Sequence, residues 1–299
     1  MSFKILQDKI NSKNNPSVMG LDPRLEYVPQ HIICEVIAEF GKTKKAVGEA
    51  IFRFNKGLID ACCDLIPAVK PQSAYYEMYG LDGINALYRT VEYAKSKGLY
   101  VILDAKRGDI GATCEAYSAA YLGESVIFEE NVKILDCDCL TVNPYLGIDG
   151  VKPFIDDCEK FGKSVFVLVK TSNKSSGDFQ DVQLASGGTL YEKVAQSITE
   201  WGSSDNIGAV VGATYPQQLK DLRGKMGDTF FLVPGFGAQG GAADDLKHAF
   251  TKQGERAIVN SSRAIMCAYQ KSPDTTGTEF GKWAREEVIR MRDVINEVR

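Results

Sequence analysis

Eight short apolar runs, separated by amphipathic stretches, constrain the fold more than any other feature of this chain. They lie at 17–21, 65–69, 100–103, 139–142, 164–169, 207–211, 230–233 and 257–259. The runs are apolar on both faces, the pattern of strands covered on two sides. Between them apolar residues recur at helical spacing, as in Val47, Ala50, Ile51, Phe54 and Leu58. The last such stretch runs through Phe280, Ala284, Val288, Met291 and Ile295 to Val298. Strands alternating with helices predict a parallel sheet covered by helices, of class α/β. Closed into a ring this is a (β/α)8 TIM barrel; an open, doubly wound sheet meets the same pattern. No linker or low-complexity tract divides the chain, so a single barrel domain over 1–299 is expected. Two segments exceed what a plain barrel needs, 24–44 after the first strand and 171–188 after the fifth. The second is rich in Ser, Gly, Asn and Asp and reads as a mobile loop. Both are expected on the C-terminal rim, where barrel active sites are built.

Composition removes several function classes. The 35 Lys and Arg stand against 39 Asp and Glu, a net charge of −4, which gives no electrostatic reason to expect nucleic acid or an anionic membrane as partner. The longest apolar candidate, 165–169, falls far short of the roughly 18 residues a membrane span requires. The first ten residues carry Lys4, Asp8 and Lys9 and no apolar signal core, so a cytoplasmic protein is expected. Eight cysteines include no C-x-x-C, and His31 and His248 have no ligand partner at zinc spacing. The expectation is reduced cysteines packed as small hydrophobes, and no metal.

The strand ends hold the chemistry. The first run ends Gly20-Leu21-Asp22-Pro23 and the second Val69-Lys70-Pro71-Gln72. The third runs directly into Asp104-Ala105-Lys106-Arg107-Gly108-Asp109-Ile110. Period-two alternation places Asp104 and Lys106 on one face, with Lys70 one strand away and Asp109 within a turn. Such a run is often only a solvated turn. Here it emerges from an inward-facing apolar strand, where unpaired charges are costly, so pairing and use are expected. A second constellation follows the last two strands: Pro234-Gly235-Phe236-Gly237-Ala238-Gln239-Gly240-Gly241, and Asn260-Ser261-Ser262-Arg263. In barrels these two loops often bind phosphate through backbone N–H groups, and Arg263 can grip an anion bidentately. The glycines of the first loop, Gly237 among them, and Ser262 and Arg263 of the second are therefore the phosphate candidates, and the expected substrate is a small phosphorylated metabolite.

The segment from Asp104 to Thr113 resembles the D-x-K-x-x-D-I signature of the orotidine 5'-phosphate decarboxylase family, and Lys106-Arg107-Gly108-Asp109-Ile110 resembles its longer-chain subclass. The resemblance extends from Gly20 to Arg263. It implies a (β/α)8 homodimer, without metal or organic cofactor, that converts orotidine 5'-phosphate to UMP and CO2 in pyrimidine biosynthesis. Carried over by position, it implies a catalytic tetrad of Lys70, Asp104, Lys106 and Asp109. Asp109, Ile110 and Thr113 would reach into the partner's site. Asp22 and Lys70 would bind ribose hydroxyls, and Asn143 would line the site. Ser172, or Thr171 in the other register, would contact the pyrimidine, and Gln239 and Arg263 would hold the phosphate. Lys106 would stabilise the carbanion left at C6 and then protonate it. Two rivals share parts of this pattern. A metal-dependent sugar-phosphate decarboxylase is expected to carry an acidic Mg2+ ligand where this chain has Lys70. A non-catalytic phosphate sensor would have no need of the charge array.

Overall fold

The structure is a computed structural model and describes residues 2–236, 243–273 and 276–299. The parallel barrel strands are β1 (Ser17–Leu21), β2 (Ala68–Pro71), β3 (Tyr100–Arg107), β4 (Cys139–Val142), β5 (Ser164–Lys170), β6 (Ile207–Val211), β7 (Phe230–Val233) and β8 (Ala257–Ser261). They close in the hydrogen-bonded order β1-β8-β7-β6-β5-β4-β3-β2, with helices alternating along the chain. This is the TIM barrel expected from the alternation, and the open sheet is excluded. β1, β2, β4, β6 and β7 are buried at every position, which is why their sequences lack a polar face.

By contacts the chain forms two compact units. The first joins 10–104 to 261–294. Its longest central helix, Lys44–Cys62, starts at Thr43, whose hydroxyl accepts from the Ala46 N–H, and buries Ala50, Ile51, Phe54, Leu58 and Ile59. Phe54 meets Phe280 of the last helix, Phe280–Val298, at 5.3 Å between centroids. Asn55 donates through Nδ2 to the Tyr76 and Thr90 hydroxyls, so its buried amide nitrogen is partnered.

The second unit joins 1–9, 105–260 and 295–299. Phe3 stacks on Phe230 at 5.0 Å and meets Phe166 at 4.9 Å, which fixes the start of the helix Ser2–Lys13 against β5 and β7. Arg223 lies over Phe231 and donates to the carbonyls of Gly227, Thr229, Ala249 and Arg256, tying together the chain just before β7 and β8.

Differences from the sequence reading are local. The second strand starts at Ala68 and not at residue 65, because Leu65 and Ile66 donate to the Cys62 carbonyl and close the preceding helix. That shift places Lys70 inside β2. A hairpin of Ser125–Ile127 and Glu130–Val132, with Phe128 at φ 57° at its tip, was not expected. The rim segment 24–44 contains the helix Gln30–Phe40, and 171–188 holds two short helical turns, Lys174–Ser176 and Gly177–Gln180. All eight cysteines are free thiols, six of them buried. Among the described residues no helix is long and apolar enough to cross a membrane, and no group of three His, Cys, Asp or Glu could hold a metal ion.

Candidate active site

In the unit of 10–104 and 261–294, a charged pair lies inside the barrel wall. The register aligns Gly20 of β1 with Lys70 of β2, and Val69 with Val101 of β3. Lys70 Nζ donates to Asp104 Oδ2 at 2.8 Å, and the two residues are only 4% and 8% exposed. The Asp104 carbonyl also accepts from the Ser73 N–H, so its backbone is held as well. Asp22, just past β1, keeps Oδ1 buried with no hydrogen-bond partner among the described residues. A buried, unsatisfied carboxylate oxygen is costly unless a ligand supplies a donor.

Burial opposes the charge on Lys70, but Asp104 and Asp22 outweigh it and hold the ammonium above the ordinary lysine value of 10.5. A base whose folded pKa exceeds its unfolded value adds stability that is complete below the unfolded value. That stability is lost as pH rises through the folded value. Lys70→Met is therefore expected to destabilise the protein by about 3–5 kcal/mol at neutral pH, because it strands Asp104. The difference from wild type should persist to the ordinary lysine range and shrink only above it. Thermal unfolding as a function of pH measures both; a gap that closes already near pH 8 would contradict the pairing.

Arg263, exposed, opens the four-residue helix Arg263–Met266, and the Ser262 carbonyl accepts from Ile265 and Met266. Gly237 and Gln239, the other phosphate candidates, lie outside the described residues.

In the unit containing 105–260, β3 continues through Lys106 with an irregularity. Lys106 has φ 49°, in the left-handed region, and its N–H donates to the buried Thr141 hydroxyl of β4 at 3.0 Å. This backbone costs a lysine about 1–2 kcal/mol. Period-two alternation therefore does not run regularly through Lys106, and the left-handed turn pinned by Thr141 sets the direction of its exposed side chain. Arg107 lies over the Tyr117 and Tyr121 rings and donates to the Tyr121 hydroxyl. Its carbonyl accepts from the Asn143 N–H at 2.8 Å, while Gly108 faces the Asn143 carbonyl where a Cβ would come within 3.1 Å. Asn143 Oδ1 accepts from the Tyr145 N–H. Asp109 Oδ1 accepts from the N–H of Ile110, which is 56% exposed, and Thr113 lies exposed in the first turn of the helix Gly111–Tyr121.

The two registers open at the end of β5 differ in their free groups. The Thr171 N–H donates to Gln180 Oε1, and its hydroxyl joins Gln180 and Asn173. Ser172 accepts at its carbonyl from Thr214, whereas its N–H and hydroxyl have no hydrogen-bond partner among the described residues. Sequence reasoning missed Thr141 and Lys170. Lys170 ends an apolar strand as Asp104 interrupts one, so the same signal was available for it.

Comparison with known proteins gives a consistent result. The sequence model described as "Orotidine 5'-phosphate decarboxylase / HUMPS family" matches residues 52–275. The orotidine 5'-phosphate decarboxylase of Caldicellulosiruptor saccharolyticus is 42% identical over 272 residues, covering 89% of this chain and 89% of its own. That of Clostridium acetobutylicum is 38% identical over 299 residues, covering 98% of each. Among solved structures, Leishmania donovani OMP decarboxylase matches with a TM-score of 0.74 at 30% identity, over 98% of this chain and 99% of its own. A Streptomyces avermitilis structure titled a putative orotidine 5'-phosphate decarboxylase matches with 0.77 at 28% identity, over 99% and 94%.

Proposed function

The chain belongs to the orotidine 5'-phosphate decarboxylase family, in its longer-chain type, and converts orotidine 5'-phosphate to UMP and CO2 in pyrimidine biosynthesis; on that premise we propose that Lys70, Asp104, Lys106 and Asp109 carry out the chemistry. The observation that carries this reading is the buried pair of Lys70 on β2 and Asp104 on β3, with Lys106 further along β3 in a strained, left-handed backbone. Strain kept at a residue of this kind is a pointer to use.

In the proposed mechanism the bond from C6 to the carboxylate breaks and its electron pair stays on C6. No adjacent carbonyl delocalises that charge well, so the Lys106 ammonium stabilises it and then gives C6 the proton that replaces CO2. Asp104, facing the substrate carboxylate, disfavours the ground state. Asp22 and Lys70 take the ribose hydroxyls, and the orphaned Asp22 oxygen is the acceptor such a hydroxyl needs. Ser172, whose N–H and hydroxyl have no partner among the described residues, is favoured over Thr171 for the pyrimidine. Asn143 lines the site. Gly237, Gln239, Ser262 and Arg263 hold the phosphate, whose remote binding energy is used at C6.

The working unit is proposed as a homodimer of single-domain, cytoplasmic chains, with Asp109, Ile110 and Thr113 lent to the partner's site. Around Asp109 the protomer leaves Ile110, Tyr145, Leu146 and Ile148 exposed, and a Cβ on Gly150 would meet both the Leu146 side chain and the Asp109 carbonyl, so these lie close together. An apolar patch of this kind marks a contact surface. Eight free thiols accord with a reducing compartment.

Lys70 stands where a metal-dependent relative would need an acid, and its ammonium repels a divalent ion. The purified protein in excess EDTA is therefore expected to convert orotidine 5'-phosphate to UMP at its full rate, followed by pyrimidine absorbance. Loss in EDTA with recovery in Mg2+ would overturn the cofactor-free reading. Arg263→Ala is expected to lower kcat/KM at least tens-fold, since a charge-assisted contact is worth about 1.5–3 kcal/mol. The exposed position predicts an unchanged Tm. Wild-type kinetics in this variant would place the phosphate elsewhere.

A further inference from the structure

Lys170 is the last residue of β5 and is 1% exposed. Its ammonium donates to Asp181 Oδ1 at 2.7 Å and to the Ser176 hydroxyl at 3.3 Å, and lies 4.9 Å from the centre of the Tyr215 ring. A buried ammonium is kept only where its partners replace water. Directly beside this pair, Thr171 and Gln180 exchange two hydrogen bonds, at 3.0 and 2.8 Å. Residues 170 and 171 are thus cross-linked to 181 and 180, and the segment expected to be mobile is a closed, stapled loop. Ser172 follows at once. Its backbone abuts Gly212, where a Cβ would come within 3.0 Å, and its carbonyl accepts from Thr214. The backbone is held from several sides, while its N–H and hydroxyl have no partner among the described residues.

We propose that Lys170 is the positioning residue for recognition of the pyrimidine. With Asp181 and Gln180 it preorders 171–181, so the Ser172 donors meet the base without the loop having to be ordered on binding. This rests on the assignment of Ser172 to the base.

The test compares a ligand with the base, UMP, against one without it, ribose 5-phosphate, both as inhibitors of the intact enzyme. Lys170→Met is expected to weaken UMP and raise KM for orotidine 5'-phosphate by roughly ten- to a hundredfold, the scale of a misplaced contact. Ribose 5-phosphate inhibition should stay unchanged. Lys170→Arg should recover most of the loss, and Gln180→Ala should shift UMP in the same direction. Gln180→Ala, which removes no buried charge, carries the test if Lys170→Met does not fold. Equal weakening of both ligands, or of neither, in the folded variants would overturn the proposal. Ser172→Ala separates the two failures. If it weakens UMP alone while the Lys170 and Gln180 variants do not, the positioning role falls and the Ser172 assignment stands. If it leaves UMP unchanged, both fall.

Discussion

Lys106→Ala is expected to lose about 10⁴-fold or more in turnover with its fold intact. Two effects are removed together: the electrostatic stabilisation of the carbanion and the acid that protonates it, each worth orders of magnitude. The side chain is exposed, so no packing is lost with it. The alanine still carries a Cβ at φ 49° and keeps the strain of the native backbone. Lys106→Gly relieves that strain and should be at least as stable as Lys106→Ala and equally inactive. Steady-state kinetics on orotidine 5'-phosphate and thermal unfolding check the pair. A Lys106→Ala enzyme within tenfold of wild type would remove Lys106 from the chemistry.

Asp109→Ala should also be severely impaired, and the proposed homodimer turns this into a sharper result. In the proposed dimer each composite site would take Lys106 from one subunit and Asp109 from the other. A mixed dimer of the two inactive variants then has one site with both lesions and one with neither. Random exchange makes half the dimers mixed, so mixing equal amounts should restore up to about a quarter of wild-type activity. The patch of Ile110, Tyr145, Leu146 and Ile148 beside Asp109 is the surface expected to be covered in that dimer. No recovery despite demonstrated subunit exchange would mean that Asp109 serves its own subunit.

The barrel was legible because strands buried on both faces leave continuous apolar runs, and five of them, β1, β2, β4, β6 and β7, are buried at every position. The charged residues were legible because Lys70 and Asp104 stand in such runs, where a charge without a partner is costly. Other features left no sequence signature. A left-handed lysine looks like any other lysine, and the Thr141 hydroxyl that pins it looks like an ordinary strand threonine. The hairpin at 125–132 was missed because Val126, Ile127 and Phe128 are consecutive and exposed, without the alternation that marks a strand. The loop after β5 shows its composition but not its cross-links in the sequence. Its Ser, Gly and Asn suggest mobility, and nothing in their order signals that Lys170 and Thr171 reach Asp181 and Gln180 across the loop.

The claim that Lys106 delivers the proton to C6 has a direct measurement. By microscopic reversibility, an acid that protonates the C6 carbanion also returns it by removing that proton from bound UMP. Wild-type enzyme incubated with UMP in D2O is expected to exchange the C6 hydrogen for deuterium, followed by loss of its proton NMR signal. Lys106→Ala at saturating UMP should show no exchange above the uncatalysed background. Exchange at the wild-type rate in the Lys106→Ala enzyme would contradict the account.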